Sequence, residues 1–291
     1  MDVFIPEGLE EALEIKSRRP DCVPIAGGTD LMVELNFGRR HPGAMMDISR
    51  IADLRGVRAD DDAIFVGAGV TYTTLIERFA SVAAVAGASR TVGSPQIRNR
   101  ATIGGNLATA SPAGDALPVL ACLDAEVILG RKGGTRNLPW HAFLTGPKAN
   151  ALDPDELILG VSWRPTSGPS AFSKVGTRNA MVIAVASLCL VLDEARRSVR
   201  IAAGSVAPTV IRLPAAEEAT RDLLDAADAW DDPDAVLDET KLAEIRGLVQ
   251  AGVSPIDDHR ATAAYRRHTC GVLVERALRW ALEERSAGSG A

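Results

Sequence analysis

The amino-acid sequence predicts an α+β fold in two blocks, and three observations support that prediction. Short apolar segments alternate with amphipathic ones through about residue 165, a pattern typical of a mixed α/β region. A change of composition at residues 165–169, between two prolines, then separates this part from the rest. Beyond it, the apolar runs 181–192 and 199–206 predict two strands of one antiparallel sheet, followed by helices. The 291 residues are enough for two domains or one large one.

The elements of the first block follow from local patterns. An apolar stripe and acidic residues in the first turn predict a helix at residues 6–19. Gly67-x-Gly69 lacks the third glycine of a dinucleotide fingerprint, so it indicates no Rossmann site. The remaining predicted elements are strands at 22–25, 44–48 and 63–70, a helical run at 31–35, a helix with Thr71 as its N-cap, and strands at 125–129 and 135–138 joined at Gly133-Gly134.

The second block is predicted to begin with its two strands, with a turn at 193–198 between them. Apolar residues at helical spacing then predict helices at 215–227, 240–249 and 259–284. A tail of small residues follows and is expected to fray.

Composition and charge exclude several classes of function. The formal net charge of −6, without a cluster of Lys and Arg, disfavours a nucleic-acid partner. No apolar run is long enough to span a membrane, and the N-terminus lacks the pattern of a signal peptide, so we expect a cytoplasmic protein. The cysteines Cys22, Cys122, Cys189 and Cys270 lack the spacing of zinc, iron–sulfur or disulfide sites, so we expect buried, reduced thiols and no metal ligand.

The longest stretch without a clear period is residues 91–115, which is dense in Gly, Ser, Thr, Asn and Pro. Such stretches are usually functional or disordered, and apolar residues from Val92 to Leu107 favour burial over disorder. At its centre, Gly104-Gly105 would let the backbone approach a ligand and take positive φ, so that successive N–H groups meet at an anion. A long surface loop of turn residues explains the same composition equally well.

A second pair, Gly27-Gly28, lies between a predicted strand and a predicted helix. Main-chain amides collect at phosphates in this layout, although a plain strand-to-helix turn explains it too. Two such turns indicate one bulky anion held from two sides, as a pyrophosphate would be. Neither turn carries the lysine of a P-loop, and no Ser–His–Asp or Cys–His arrangement is evident, so we expect no catalytic residue. A bound cofactor would then carry the chemistry.

Four motifs together resemble one protein family. They are AGGTDL at residues 26–31, IRNRATIGGN at 97–106, ASPAGD at 110–115 and DHRATAAYRR at 258–267. In this order and combination they resemble the FAD-binding medium subunit of the molybdenum hydroxylases. That family includes xanthine dehydrogenases, aerobic carbon monoxide dehydrogenase and bacterial dehydrogenases of N-heterocycles.

The resemblance implies a fold and a division into domains. Residues 1–168 would form a two-subdomain FAD-binding domain of the vanillyl-alcohol-oxidase (PCMH) type, with subdomains at about 1–56 and 57–168. Residues 169–286 would form a C-terminal α+β domain of the CO-dehydrogenase-flavoprotein type, with an antiparallel sheet and helices, and 287–291 would be a tail.

The resemblance also implies which residues bind FAD. Two loops would surround the pyrophosphate, polar residues would hold the ribityl, ribose and adenine side, a lysine would lie near the pyrimidine edge of the flavin, and apolar residues would contact the ring. In that order the residues are Ala26, Gly27, Gly28, Thr29, Asp30 and Leu31 with Thr102, Ile103, Gly104, Gly105 and Asn106; then Thr109, Ser111 and Asp115; then Lys174; then Ile103 and Leu159. The lysine cation would stabilise negative charge on the reduced flavin.

The function implied is that of an oxidoreductase subunit that binds FAD and transfers electrons. A small [2Fe-2S] subunit and a large molybdopterin subunit would be its partners, in a dimer of heterotrimers, and FAD would pass electrons from the clusters to an external acceptor. FAD would be held without a covalent bond, because neither Gly-Gly loop contains His or Cys. The chain lacks the cysteine-bearing insertion of the related 4-hydroxybenzoyl-CoA reductase subunit, which makes that relative a poorer match. The alternatives are a stand-alone FAD-dependent oxidase of the same fold and an adaptor subunit without cofactor.

Overall fold

The structure is a computed structural model that describes residues 1–232 and 234–288. The helices are α1 (Leu9–Arg18), α2 (Leu31–Asn36), α3 (Tyr72–Arg78), α4 (Ala83–Thr91), α5 (Pro95–Arg98), α6 (Ile103–Thr109), α7 (Ala116–Cys122), α8 (Trp140–Phe143), α9 (Pro214–Ala226), α10 (Glu239–Gly252) and α11 (Ala263–Gly288). The strands are β1 (Asp2–Phe4), β2 (Val23–Ile25), β3 (Ala44–Asp47), β4 (Val57–Ala59), β5 (Ile64–Gly67), β6 (Glu126–Arg131), β7 (Gly134–Pro139), β8 (Leu144–Gly146), β9 (Ala149–Asn150), β10 (Leu157–Trp163), β11 (Ser170–Val175), β12 (Ala186–Asp193), β13 (Ser198–Gly204) and β14 (Ile211–Arg212). The predicted α+β class is confirmed.

The chain folds as two compact units that do not divide at one point in the sequence. The first unit comprises Met1–Leu75, Val92–Ser111 and Asp124–Pro165. The second comprises Ile76–Thr91, Pro112–Leu123 and the described residues from Thr166 onward. Two helical segments before residue 168 belong to the second compact unit, so the compact units do not coincide with the predicted domains at 1–168 and 169–286. That division into domains stays a prediction.

The first unit contains a small parallel sheet and a larger antiparallel one. The parallel sheet has the order β1-β3-β2, so Pro24 lies on an edge strand, where proline is tolerated best. The antiparallel sheet has the order β4-β5-β10-β6-β7. One apolar cluster joins α1 to these sheets, and its buried members include Ala12, Met46 and Leu157. Residues 26–31, which contain the first Gly-Gly pair, follow directly after β2.

The second unit is built on an antiparallel sheet of order β11-β12-β13-β14. Every residue of β12 is buried, which accounts for the long apolar run in the sequence. A strand buried on both faces needs cover on both, and the C-terminal helices supply only one side. Leu188, Leu190 and Leu192 pack into a cluster with those helices, whereas Cys122 of α7 donates to the carbonyl of Cys189 on the same strand at 3.3 Å. This need for a second cover explains why α4 and α7 belong to this unit.

Some predictions were wrong in detail. The stretch 91–115, for which a long surface loop was one of two interpretations, contains the helices α5 and α6, with Gly104 and Gly105 inside α6. The strand predicted at 181–192 begins only at Ala186. Of the predicted tail, residues 287 and 288 end α11, and residues 289–291 lie outside the described residues.

Candidate functional site

The first Gly-Gly turn, residues 26–31, presents backbone donors that the protein does not use. In the described part of the chain, no acceptor receives the amide N–H groups of residues 27–31. Gly28 has φ +74°, in the left-handed region. A left-handed residue within a turn directs successive N–H groups toward one concavity, which is a backbone binding site for anions. The turn residues Gly27 to Thr29 are half-buried, so a ligand can reach them.

Gly27 is a glycine for a different reason from Gly28. A Cβ on Gly27 would overlap the carbonyl oxygen of Arg100, and it would lie 3.0 Å from the amide nitrogen of Ala101. That peptide directly precedes Thr102, so the structure brings the two predicted loops together. At this contact the carbonyl group of Arg100 packs against Gly27, which has no side chain.

A side-chain hydrogen bond also links the two loops. The hydroxyl of Thr109 lies 3.0 Å from Oδ2 of Asp30 and 2.9 Å from the carbonyl oxygen of Gly105, and its single proton serves one acceptor at a time. Both side chains were predicted to face the cofactor; Asp30 is exposed and Thr109 is half-buried. The bond holds the end of α6 against the first turn.

The second Gly-Gly pair presents no free amides, which corrects our picture of it. Ile103 and Gly104 donate to the carbonyls of Val70 and Ala68, at 3.1 and 2.9 Å. Gly105 donates to the Thr102 hydroxyl, which caps α6, at 3.1 Å. Neither glycine has positive φ, contrary to the reason we gave for the pair. Gly104 is required because its Cβ would lie 2.6 Å from the Cβ of Ala68.

Asn106 supplies the free polar group of this second loop. Its Oδ1 is buried and has no hydrogen-bond partner in the described residues. A buried acceptor left unpaired costs about 1–3 kcal/mol, so a donor from a ligand would stabilise the site. A hydroxyl or amine group of a cofactor supplies such a donor.

The other predicted residues of the first unit are more enclosed. Ile103 is 4% exposed, and Leu159 packs partly buried against the cluster of α1. The side chain of Leu159 also fills the space beside Gly130, where a Cβ would lie 2.6 Å from its Cδ1. The predicted contacts of Ile103 and Leu159 with a ring system stay predictions. Ser111, which follows α6, also interacts with another group of the protein.

In the second unit, Lys174 and Asp115 form a buried ion pair. The ammonium lies 2.6 Å from Oδ2 of Asp115, and the two side chains are 10% and 7% exposed. Lys174 also donates to the carbonyl oxygens of Thr91 at 2.9 Å and Val182 at 3.1 Å, so all its protons are engaged. Burial raises the pKa of the Asp115 carboxyl, and the Lys174 cation and the hydrogen bonds from Lys174 and Thr91 oppose that rise. The Oδ1 atom of Asp115 is buried and has no hydrogen-bond partner among the residues that the structure describes.

Among the described residues, no group of His, Cys, Asp and Glu could hold a metal ion. All four cysteines are free and buried, as predicted. No described helix is both long and apolar enough to cross a membrane.

Comparisons with known proteins identify the family. A family model described as the FAD binding domain in molybdopterin dehydrogenase matches residues 1–163. A second model, the CO dehydrogenase flavoprotein C-terminal domain, matches residues 171–281. The chain belongs to the family of FAD-binding subunits of molybdopterin dehydrogenases, which confirms the resemblance found in the sequence. It is an oxidoreductase subunit whose cofactor is FAD.

Individual relatives agree with this assignment. The nicotinate dehydrogenase FAD-subunit of Eubacterium barkeri is 38% identical over 194 residues, which are 63% of this chain and 66% of the relative. The xanthine dehydrogenase FAD-binding subunit of Escherichia coli O157:H7 is 28% identical over 280 residues, which are 93% of this chain and 92% of the relative. A chain of carbon monoxide dehydrogenase from Hydrogenophaga pseudoflava has the same fold, with a TM-score of 0.84 and 26% identity over 97% of this chain and 96% of that one.

FAD fits the residues that the structure provides. The unused amides of residues 27–31 suit a pyrophosphate, and the orphan Oδ1 of Asn106 suits a donor on the sugar-like part of the cofactor. Two residues were not predicted as part of the site: the carbonyl group of Arg100 requires a glycine at position 27, and the Cβ and carbonyl oxygen of Ala68 require one at position 104. Ala68 lies between Gly67 and Gly69, and two glycines this close can indicate that another backbone segment packs against them. We had considered this pair only as a dinucleotide-binding motif. No sequence signal pointed to Thr91, whose hydroxyl lies 3.0 Å from Asp115.

Proposed function

We propose that this chain binds FAD and passes electrons from [2Fe-2S] clusters on a partner subunit to an external acceptor. The observation that carries the proposal is the turn of residues 26–31, where consecutive backbone N–H groups lack an acceptor in the described chain. The diphosphate of FAD is an anion of the size that such a turn accommodates. When bound, FAD supplies the ability to take up electrons in one step and release them in another.

Each candidate residue has a proposed task in holding the cofactor. The amides of Gly27, Gly28, Thr29, Asp30 and Leu31 bind the pyrophosphate, and Ala26 fixes where the turn leaves β2. The start of α6, at residues 102–105, packs tightly beside that turn and holds Asn106 in place. Asn106, Thr109, Ser111 and Asp115 face the ribityl, ribose and adenine side, and Ile103 and Leu159 the ring.

Lys174 would act on the flavin through its charge. All of its protons are engaged by oxygens of Thr91, Asp115 and Val182 in the structure, so none is left for a hydrogen bond to the ring. A preorganised cation still stabilises negative charge that develops nearby. Its ion pair with Asp115 reduces that effect and fixes where the charge lies.

The proposed partners are a small [2Fe-2S] subunit and a large molybdopterin subunit, assembled as a dimer of heterotrimers in the cytoplasm. Relatives named as FAD subunits and medium chains support a multi-subunit assembly. We infer no nucleic-acid partner from the net charge of −6. FAD is held non-covalently, which agrees with the burial of all four cysteines.

One purification tests the proposal against its rivals. The chain, tagged and produced together with the other subunits, should yield a brown complex that contains iron, molybdenum and FAD. A lone yellow protein that oxidises substrate by itself would indicate a stand-alone oxidase, and a colourless complex an adaptor. Acid precipitation of the brown complex should release the yellow colour into the supernatant, and colour retained in the pellet would show a covalent flavin.

A further inference from the structure

Helix α2 and the residue after it leave several apolar side chains exposed. None of the residues in Leu31–Asn36 is buried. Met32 is 42% exposed and Val33 46%, and Phe37, directly after the helix, is 71% exposed. Exposed apolar side chains clustered in this way mark a surface that another molecule covers.

Only part of the apolar surface of α2 packs within the first unit. A helix of six residues is too short to be stable in water by itself, so its stability must come from packing. The described members of the apolar cluster around Ala12 and Met46 include no residue of α2. Leu31 and Leu35 are half-buried and give α2 its support within the unit. Met32, Val33 and Phe37, in contrast, remain exposed to a partner surface.

Cations surround this apolar surface. The guanidinium of Arg39 lies 5.2 Å from the ring centroid of Phe37. Arg40 and Lys148 flank Glu34 on α2, at 3.8 and 3.5 Å from its carboxylate oxygens. The other carboxylate of this helix, Asp30, stands at its opposite end, so the end of α2 near Phe37 is basic on a chain whose net charge is −6.

The positive charges of Arg39, Arg40 and Lys148, which form the rim of this apolar surface, distinguish between possible partners. Two copies of this chain placed face to face here would set Arg39 and Arg40 of one against those of the other, and such repulsion opposes self-association. A different subunit, with an apolar centre and carboxylates around it, would match both features. Aromatic residues and arginine are also enriched where protein surfaces meet.

The position of α2 indicates which subunit that is. The helix begins where the turn of residues 26–31 ends, and a six-residue helix is about 9 Å long. A protein bound on α2 would therefore lie close to the amides assigned to the cofactor phosphates. We propose that α2, with Phe37, Arg39, Arg40 and Lys148, is the docking surface for the [2Fe-2S] subunit, whose matching face is apolar at its centre and acidic at its rim. This inference rests on the proposed function.

The experiment uses the whole complex, purified through a tag on this chain, with iron, molybdenum and FAD measured per chain. Phe37→Ser removes the exposed ring, and a second variant combines Arg39→Glu with Arg40→Glu. Ile256→Ser is the matched control, because Ile256 is also 71% exposed but lies in the second unit. We expect Phe37→Ser to lower iron per chain about tenfold or more while FAD per chain stays unchanged. The charge reversal should act likewise, most strongly at low salt, and Ile256→Ser should match the wild type.

Other outcomes overturn the inference separately from the proposed function. Normal iron in the Phe37→Ser complex would show that the [2Fe-2S] subunit docks elsewhere. Loss of FAD together with iron would show that α2 serves the cofactor turn and not a partner. A dimer of the isolated chain that Phe37→Ser dissociates would make a second copy the occupant. A wild-type chain that purifies with FAD but never with iron would instead contradict the proposed function.

Discussion

Gly27-Gly28 and Gly104-Gly105 are the same dipeptide in the same compact unit, but they meet opposite demands. At the first pair, the backbone takes φ +74° at Gly28 and leaves the amides of residues 27–31 without a protein acceptor. At the second pair, the backbone is helical and the amides of residues 103–105 are bonded within the protein. The first pair can bind an anion through its backbone, whereas the second allows close packing.

The difference teaches that a Gly-Gly pair does not by itself indicate an anion site. A glycine can be required by its own φ, as at Gly28, or by a neighbour that leaves no room for Cβ, as at Gly27 and Gly104. The informative question is where the amides of the turn find acceptors. By that measure the first pair offers free N–H donors to a ligand, whereas the second pair serves the packing of α6.

The largest effect is expected at Gly27, where the two turns touch. Gly27→Ala would place a Cβ on the carbonyl oxygen of Arg100, and both groups belong to backbone that cannot move freely. We expect a loss of about 3 kcal/mol in the free energy of unfolding, at the upper end of typical overpacking, and loss of FAD. Urea unfolding of the FAD-free protein measures the first effect and flavin fluorescence the second. Gly56→Ala is the control, since a Cβ there meets nothing within 4 Å.

Gly104→Ala should separate packing from cofactor binding. Its Cβ would lie 2.6 Å from the Cβ and 2.7 Å from the carbonyl oxygen of Ala68, so we expect about 2 kcal/mol of destabilisation. Adding Ala68→Gly removes the first of these contacts and should restore part of the stability. The protein that remains folded should keep its FAD affinity, measured by titration. Normal stability with lost FAD binding would make this loop the phosphate site after all.

Gly28→Ala tests backbone conformation without crowding. The nearest atom to the new Cβ is Cγ of Met32 at 3.2 Å, on a flexible side chain, so the cost comes from φ. A left-handed alanine costs about 1–2 kcal/mol, and we expect a loss near 1 kcal/mol by urea unfolding. Gly28→Asn should cost less, because asparagine adopts this region more readily. Equal stability of the glycine, alanine and asparagine proteins would mean that positive φ is not needed here.

Gly105→Ala should have the smallest effect of the four substitutions. The new Cβ would lie 3.1 Å from Oγ1 of Thr102, a side chain that can shift slightly. Alanine within a helix is more favourable than glycine by about 0.5–1 kcal/mol, which offsets a weaker cap. We therefore expect a change within about 0.5 kcal/mol and unchanged FAD affinity. A loss well beyond that range would show that the second glycine carries more than the packing of α6.

The sequence predicted most elements because local patterns determine them. The apolar run before residue 193 became the fully buried strand β12, and helical spacing located α9 to within one residue at each end. Helix α6 was missed because glycine is a poor helix former, and the contacts that hold it come from Ala68, Val70 and the cap at Thr102.

The candidate site was predicted in its residues but not in their roles. Motifs placed Gly27 and Gly104 at the cofactor, yet only coordinates show which amides are bonded. Lys174 and Asp115 are 59 positions apart, and nothing local indicates that they pair. The assignment of α4 and α7 to the second unit likewise depends on which sheet face lacks a cover.

Hydrogen exchange of the backbone amides, followed with and without FAD, tests the central claim most directly. Amides without an acceptor exchange quickly, and a bound ligand that accepts their hydrogen bonds slows them. We predict that residues 27–31 exchange rapidly in the FAD-free protein and become protected when FAD is added. Residues 103–106 should be protected in both states. Protection gained by residues 103–106 alone, with residues 27–31 still exchanging rapidly in the presence of FAD, would contradict the account.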